Sequence, residues 1–258
     1  MVNQSTINKL IEMRLTPMAD AFRQQCSKQD FDGLSFEERF GMLVDAEYNN
    51  RKDNKLHRLI KDASFDQPDA SIEDIDYKSG RKLNKNLIYQ LADCGYIPEH
   101  MNIFIPGAMG SGKSYLACAL GLATCRQYYT VKYASFPNLL IALKTARDSQ
   151  CYDKVLKQYS KPTVLIIDEW LQYQPSFEEQ KDLLALLQKK VRKTSTIFCS
   201  QIEKKEWIDH LSAQDSTLSE AILDRIIYDG YEISIEYTDP EKAKSMREVH
   251  RIKRSIKE

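Results

Sequence analysis

An α/β fold, with a five-stranded parallel sheet between helices and a small all-helical domain ahead of it, is predicted by three observations. Residues 107–114 read Gly107-Ala108-Met109-Gly110-Ser111-Gly112-Lys113-Ser114 and fit G-x-x-x-x-G-K-[ST] at every fixed position. From about residue 86 short apolar runs alternate with helical stretches, and 103–105, 131–134, 164–167, 196–199 and 232–235 are the candidate strands. Strands separated by helices imply a parallel sheet covered on both faces. Before residue 70 the pattern is helical and holds no plausible strand. The expected organisation is a helical domain over 1–70, a linker over 71–85 and an α/β domain over 86–258 that ends in a basic helix.

Within the first domain, Thr16-Pro17 reads as a cap followed by proline at the first helical position, opening a helix to about Gln29. Ser35-Phe36-Glu37-Glu38 is a capping box, and apolar Phe36, Phe40 and Leu43 recur after it at helical spacing. That helix extends to about Lys61. Its second half carries Arg51, Lys52, Lys55, Arg58 and Lys61 against a single acid, Asp53. Positions 51, 55 and 58 share one helical face, the densest basic face near the N-terminus, which is either a solvated face or a set of contacts to nucleic-acid phosphates. The stretch 66–85, which runs into and through the linker, is marked by Pro68, acids at 73, 74 and 76, and then Lys78, Gly80, Arg81, Lys82 and Lys85.

The 107–114 loop sets the chemistry of the second domain. Its glycines let the backbone curl so that successive N–H groups point at a polyphosphate. The helix predicted over Tyr115–Tyr128 adds its positive N-terminal end. Lys113 supplies a mobile cation for the β- and γ-phosphates, and Ser114 a hydroxyl for Mg²⁺. In Val164-Leu165-Ile166-Ile167-Asp168-Glu169 four apolar residues end in two acids. A buried strand there delivers Asp168 to hold Mg²⁺ through water, as hard oxygen ligands do, and Glu169 to polarise a water for attack on the γ-phosphorus.

Composition narrows the classes further. Lys plus Arg number 37 and Asp plus Glu number 37, a net charge of zero. That excludes a globally basic nucleic-acid protein while leaving room for local basic patches. Six cysteines show no C-x-x-C pair and no metal-ligand rhythm, and Cys118 and Cys125 fit small buried thiols. With no apolar leader and no run of transmembrane length, the expectation is a reduced, cytoplasmic, soluble protein without a membrane partner.

Three further segments carry candidate chemistry. Thr196-Ile197-Phe198-Cys199 is an apolar strand followed by Ser200 and Gln201, either of which could report the γ-phosphate. Ala221 to Ile227 reads as a helix whose apolar residues flank Asp224 and Arg225. An arginine there stabilises a transferring phosphoryl group if a neighbouring subunit supplies it, and otherwise forms an ion pair. Residues 242–257 hold Lys242, Lys244, Arg247, Arg251, Lys253, Arg254 and Lys257 against Glu248. This basic tail is a solvated face, a phosphate contact or the carrier of Arg247 to the nucleotide.

Taken together, these residues resemble the IstB-like ATP-binding proteins, the transposition helper ATPases of bacterial insertion sequences. These are close relatives of the DnaC helicase loaders within the AAA+ superfamily. The resemblance covers nearly the whole chain. It rests on the 107–114 loop, Ile167-Asp168-Glu169, Cys199-Ser200-Gln201, Ala221-Ile222-Leu223-Asp224-Arg225 and Lys244-Ser245-Met246-Arg247. In the helical part, Leu15-Thr16-Pro17-Met18-Ala19, Glu47-Tyr48 through Arg58 and Ala63-Ser64-Phe65 also match.

The resemblance implies an AAA+ P-loop ATPase using ATP and Mg²⁺, which oligomerises as a ring or helix on duplex DNA and assists a partner transposase. It also implies Arg225 as a finger acting across a subunit interface, Gln201 with Ser200 as a first sensor, and Arg247 as a second sensor at the nucleotide. Ala243-Lys244-Ser245 departs from the Gly-Glu-Ser that family members often carry ahead of that arginine. Competing readings are a loader that places a replicative helicase on single-stranded DNA, a nucleotide-gated binding module without turnover, and a small-molecule P-loop kinase. Glu169 argues against the module. The lack of an arginine-rich segment between 170 and 200 argues against the kinase.

Overall fold

A computed structural model describes residues 2–31, 33–77, 80–211, 216–227, 230–237 and 245–246. The chain forms two compact units, Met1–Arg58 and Leu59–Glu258.

The first unit is helical: α1 (Val2–Glu12), α2 (Thr16–Ser27) and most of α3 (Phe36–Ala63). Arg14, with φ 60°, turns the chain between α1 and α2, and the Leu15 N–H donates to the Leu10 carbonyl at 2.8 Å. Pro17 lies in the first turn of α2, where its missing N–H leaves no helical bond unmade. The helix starts one residue earlier than expected, so Leu15 rather than Thr16 holds the capping position and no side chain caps it. The capping box at the start of α3 forms as read, with Glu38 N–H to Ser35 Oγ at 3.3 Å and Ser35 N–H to Glu38 Oε2 at 2.8 Å. Ile7, Ala19 and Leu43 are buried. Phe36 and Phe40 are exposed instead, their rings stacked 5.9 Å apart.

The second unit is built on a five-stranded sheet. Its elements are β1 (Arg81–Lys82), α4 (Lys85–Ala92), β2 (Asn102–Pro106), α5 (Lys113–Arg126), β3 (Val131–Ser135), α6 (Phe136–Asp148), α7 (Tyr152–Ser160) and β4 (Val164–Asp168). They continue with α8 (Phe177–Lys190), β5 (Ser195–Ser200), α9 (Trp207–Leu211), α10 (Ser216–Ile227), β6 (Gly230–Glu232) and β7 (Glu236–Tyr237). The sheet order is β3-β4-β5-β2-β6, all neighbours parallel. Ile103 to Ile105, Val164 to Ile167 and Ile197 to Cys199 are almost fully buried, which is why they read as unbroken apolar runs rather than alternating ones. On one side of the sheet Phe104, Phe136, Trp170, Phe198 and Trp207 form an aromatic cluster with neighbouring centroids 4.9–6.0 Å apart.

Two expectations need correction. The run 232–235 is not one strand. The fifth strand ends at Glu232, and Ile235 makes an isolated bridge to Gly107 before β7 pairs antiparallel with β1. Gly230 sets where β6 begins, because a Cβ there would lie 2.6 Å from both the Asn102 carbonyl oxygen and the Phe104 ring. The stretch over 71–85 is also no loose connector: Ile72, Ile75 and Arg81 are buried. Just before it, Phe65 packs where a Cβ on Gly121 would stand, 2.5 Å away, so the glycine in the middle of α5 is a seat for that ring. Tyr115 Oη accepts the Ser71 N–H at 3.1 Å and fixes the same segment to α5. None of the described helices is long and apolar enough to cross a membrane.

Candidate active site

The loop that joins β2 to α5 uses its glycines for stated reasons. Gly110 (φ 74°) and Gly112 (φ 99°) hold left-handed backbone that other residues rarely adopt. A Cβ on either would also collide, at 2.7 Å, with Ser245 Cβ and Arg81 Nη1 respectively. Gly107 is close-packed against Ser111 Oγ and Ile235. Ala108 and Met109 are exposed at the tip, and Ser111 is fully buried with its Oγ unpartnered among the described residues. Gly112 caps α5, so the first N–H groups of that helix open onto the loop. Lys113 Nζ donates to the Gly107 and Ala108 carbonyls at 2.8 and 2.9 Å, and burial lowers its pKa from the ordinary lysine value.

β4 delivers the acids. Asp168 is buried, with Oδ2 accepting from Tyr133 Oη and Oδ1 from the Glu169 N–H, both at 2.8 Å. Glu169 and Leu171 have left-handed backbone (φ 58° and 56°), which turns the chain sharply off the strand. The Trp170 N–H donates to the Cys199 carbonyl at 2.8 Å and anchors that turn on β5. Burial raises the Glu169 carboxyl above its ordinary pKa, and the charges of Asp168 and Asp66 push the same way. That direction favours a proton acceptor working near neutral pH.

The end of β5 separates the two sensor candidates. Ser200 is buried and holds the scaffold, its Oγ donating to the Trp170 carbonyl at 2.9 Å and accepting from the Ile202 N–H at 3.1 Å. Gln201 instead lines a cavity of about 940 Å³ together with Gly110, Gly112, Lys113, Ser114, Asp168 and Glu169. That volume falls within the usual range for a ligand pocket.

The same cavity gathers residues that motif spacing did not reveal. Gln67, Ile75, Arg81 and Leu83 come from the junction ahead of the α/β core, His210 from α9, and Ser245 and Met246 from the C-terminal segment. Arg81 donates to the Ser111 carbonyl at 2.5 Å and to the Asp76 carbonyl at 2.8 Å, clamping the loop from the side. The Met246 N–H donates to the Gly110 carbonyl at 2.9 Å. The signal for the junction was present as the apolar pair Ile72 and Ile75 at helix-like spacing, outweighed by the surrounding acids and proline.

Arg225 does not line this cavity. It faces a second one of about 490 Å³, with Asn102, Lys190 and Asp224, and its Nη1 donates to the Ala221 carbonyl at 2.5 Å. Arg247, and Lys242 to Lys257 apart from Ser245 and Met246, lie outside the described residues. On α3, Arg51, Lys52, Lys55, Arg58 and Lys61 are all exposed. Arg51 is ion-paired with Glu47 at 2.6 Å, and Lys52 Nζ sits 4.6 Å over the Tyr48 ring.

Comparison with known proteins bears on the fold and the family. The solved structures that resemble this fold include DnaI (TM-score 0.54, 22% identity, 68% of this chain and 91% of that one) and the DnaC helicase loader (0.53, 17%, 65% and 97%). DnaA from Aquifex aeolicus bound to AMPPCP also matches (0.59, 17%, 74% and 65%). These share the fold, a parallel sheet between helices with the phosphate loop at its carboxyl ends. Among sequences, an ATP-binding protein of insertion sequence IS1162 from Pseudomonas fluorescens is 37% identical over 78% of this chain and 87% of its own. An insertion-sequence ATP-binding protein from Sinorhizobium fredii is 34% identical over 91% of this chain and 95% of its own. The profile of the IstB-like ATP binding proteins matches residues 8–253, from α1 to beyond the phosphate-loop contact of Met246. The chain belongs to that family.

Proposed function

We propose that this protein is a Mg²⁺-dependent ATPase that assembles in several copies on duplex DNA and there assists a transposase in moving an insertion sequence. One observation carries the catalytic part: a single cavity gathers Lys113, Ser114, Asp168, Glu169 and Gln201 around a glycine loop at a helix N-terminus. In this reading the loop N–H groups and Lys113 hold the phosphates, Glu169 takes the proton of the attacking water, and Gln201 rather than Ser200 senses the terminal phosphate. The residues present fit a magnesium ion. Ser114 and Asp168 are hard oxygen donors on the cavity wall, with the Asp168 carboxylate held in place by Tyr133 Oη and the Glu169 N–H. A bound Mg²⁺ would neutralise charge on the phosphate oxygens.

Assembly enters through Arg225. It lies outside the cavity that holds Glu169, which supports a role across an interface between copies, as the finger of a neighbouring site. Duplex DNA is assigned to the exposed face of Arg51, Lys52, Lys55, Arg58 and Lys61. The relatives named as insertion-sequence proteins support the transposase as partner.

The test measures hydrolysis and fluorescent-nucleotide binding with and without duplex DNA. Glu169→Gln should bind nucleotide normally and hydrolyse orders of magnitude more slowly, whereas Lys113→Ala should lose nucleotide affinity. Unimpaired hydrolysis by Glu169→Gln overturns the catalytic reading. For the DNA face, Arg51, Lys55 and Arg58 together changed to Ala should lower the salt slope of duplex binding by about two to three units, Arg51 counting least because Glu47 already holds it. An unchanged slope moves the contact off α3.

A further inference from the structure

The second cavity, at the amino ends of β2 and β5, holds a cation that the catalytic reading leaves without a task. Lys190, at the end of α8, is 2% exposed, and its Nζ makes one hydrogen bond, to Thr194 Oγ1 at 2.8 Å. Among the described residues no carboxylate pairs with it. Among the described residues Arg225 forms no ion pair either, not even with adjacent Asp224; its bond goes to the Ala221 carbonyl. The walls add His100 and Arg192 on the basic side and Glu99 and Asp224 on the acidic side. Asn102 fixes the frame: its Nδ2 donates to the Ile226 carbonyl at 2.9 Å and its Oδ1 accepts the Thr196 N–H at 2.8 Å, which pins α10 and Arg225 to the sheet.

A buried ammonium with one acceptor and no counter-charge is costly. Burial lowers the Lys190 pKa to about 7. An arriving phosphate supplies the missing acceptors and favours the charged amine. The space of about 490 Å³ admits a phosphate group.

We infer that this cavity is an anion site which receives the terminal phosphate of a nucleotide held by a second copy of the chain, with Lys190 joining Arg225 as a cation acting across the interface. The inference rests on the reading of Arg225 given above and adds a residue and a pocket to it. A DNA phosphate is the other source of the same chemistry.

The experiment uses the full chain with Mg²⁺, ATP and duplex DNA, and compares Lys190→Met with Arg225→Ala. Met keeps the apolar stem and removes the buried charge, so the fold is retained. Lys190→Met should bind a fluorescent ATP analogue within about twofold of the unchanged protein and lose at least about tenfold in hydrolysis. It should recover activity when mixed with Glu169→Gln, because mixed interfaces then pair an intact Glu169 with an intact Lys190. Unchanged hydrolysis overturns the inference. So does a loss that mixing does not restore while the Arg225→Ala mixture recovers, and in that case the Arg225 reading stands alone. If neither mixture recovers although the subunits co-assemble, the reading of Arg225 falls and takes this one with it. Weakened duplex binding without nucleotide, with hydrolysis intact, would assign the cavity to DNA phosphate instead.

Discussion

The two ends of the parallel sheet carry sites built in opposite ways. At the carboxyl ends the cavity is shaped largely by backbone: the curled loop from Gly107 to Gly112, the left-handed turn at Glu169 and Leu171, and the start of α5. At the amino ends it is shaped by side chains that converge from α8, α10 and the turns before β2 and β5. A site made of backbone needs particular residues at fixed spacing, because conformation is local. A site made of converging side chains needs only charge in the right place, and no short pattern records that. The contrast also predicts different kinds of damage.

The largest effect belongs to the carboxyl end. Glu169→Gln should slow hydrolysis by about 10³-fold while leaving nucleotide affinity within about twofold, since it removes a proton acceptor and keeps the volume. Single-turnover hydrolysis alongside a binding titration separates these two quantities, and a parallel loss of affinity would place Glu169 in binding instead.

Backbone dependence is sharpened by Gly112→Ala. The added methyl meets Arg81 Nη1 and a backbone at φ 99°, so nucleotide affinity should fall by about 10–100-fold. The same change at Ala108 in reverse, Ala108→Gly, should do little, because that residue is exposed at the loop tip. Equal effects from the two would show that loop flexibility matters more than loop shape.

At the amino end the prediction concerns stability and pH. Lys190 has a folded-state pKa of about 7 against the ordinary lysine value of 10.5. Below pH 7 both folded and unfolded chains carry the proton, and the full cost of burying the charge is present. Between pH 7 and 10.5 the unfolded chain binds more protons, so folding stability rises with pH. Lys190→Met should therefore stabilise the isolated chain by about 2 kcal/mol at pH 6.5, with the gain shrinking toward pH 10. Denaturant unfolding across that range measures it, and a gain independent of pH would mean that the amine is not what the fold resists.

Tyr133→Phe is the smallest change. It removes one donor from Asp168 Oδ2 and should weaken nucleotide binding about fivefold with Mg²⁺ present. Binding in excess chelator should stay unchanged. An equal loss under both conditions would make the hydroxyl a packing feature only.

The same contrast explains what was legible in the sequence. The phosphate loop, the Asp168-Glu169 turn, the strand runs and the Ser35–Glu38 capping box were readable because each is a local arrangement with its own spacing. The run 232–235 does not show its own ends, because its apolar pattern is shared between a sheet strand, a single bridge and an antiparallel pair. Phe36 and Phe40 repeat at core-like spacing and lie exposed, since periodicity records a face and not what covers it. Which of Ser200 and Gln201 lines the cavity depends on the way the chain leaves β5, and no local spacing records that. Lys190 gave no signal at all, as one lysine among several near the end of a polar helix.

The seating of Phe65 against Gly121, together with the burial of Ile72 and Ile75, decides how this protein can be dissected. A fragment beginning at the first residue of the α/β pattern, near 86, would leave α5 with an open socket and remove Arg81 from the phosphate loop. It would be expected to aggregate or to bind nucleotide poorly, and its failure would be blamed on the missing N-terminal helices. A cut placed before Leu59 keeps the junction with the core it belongs to, and only such a fragment gives a fair comparison of the protein with and without its helical unit.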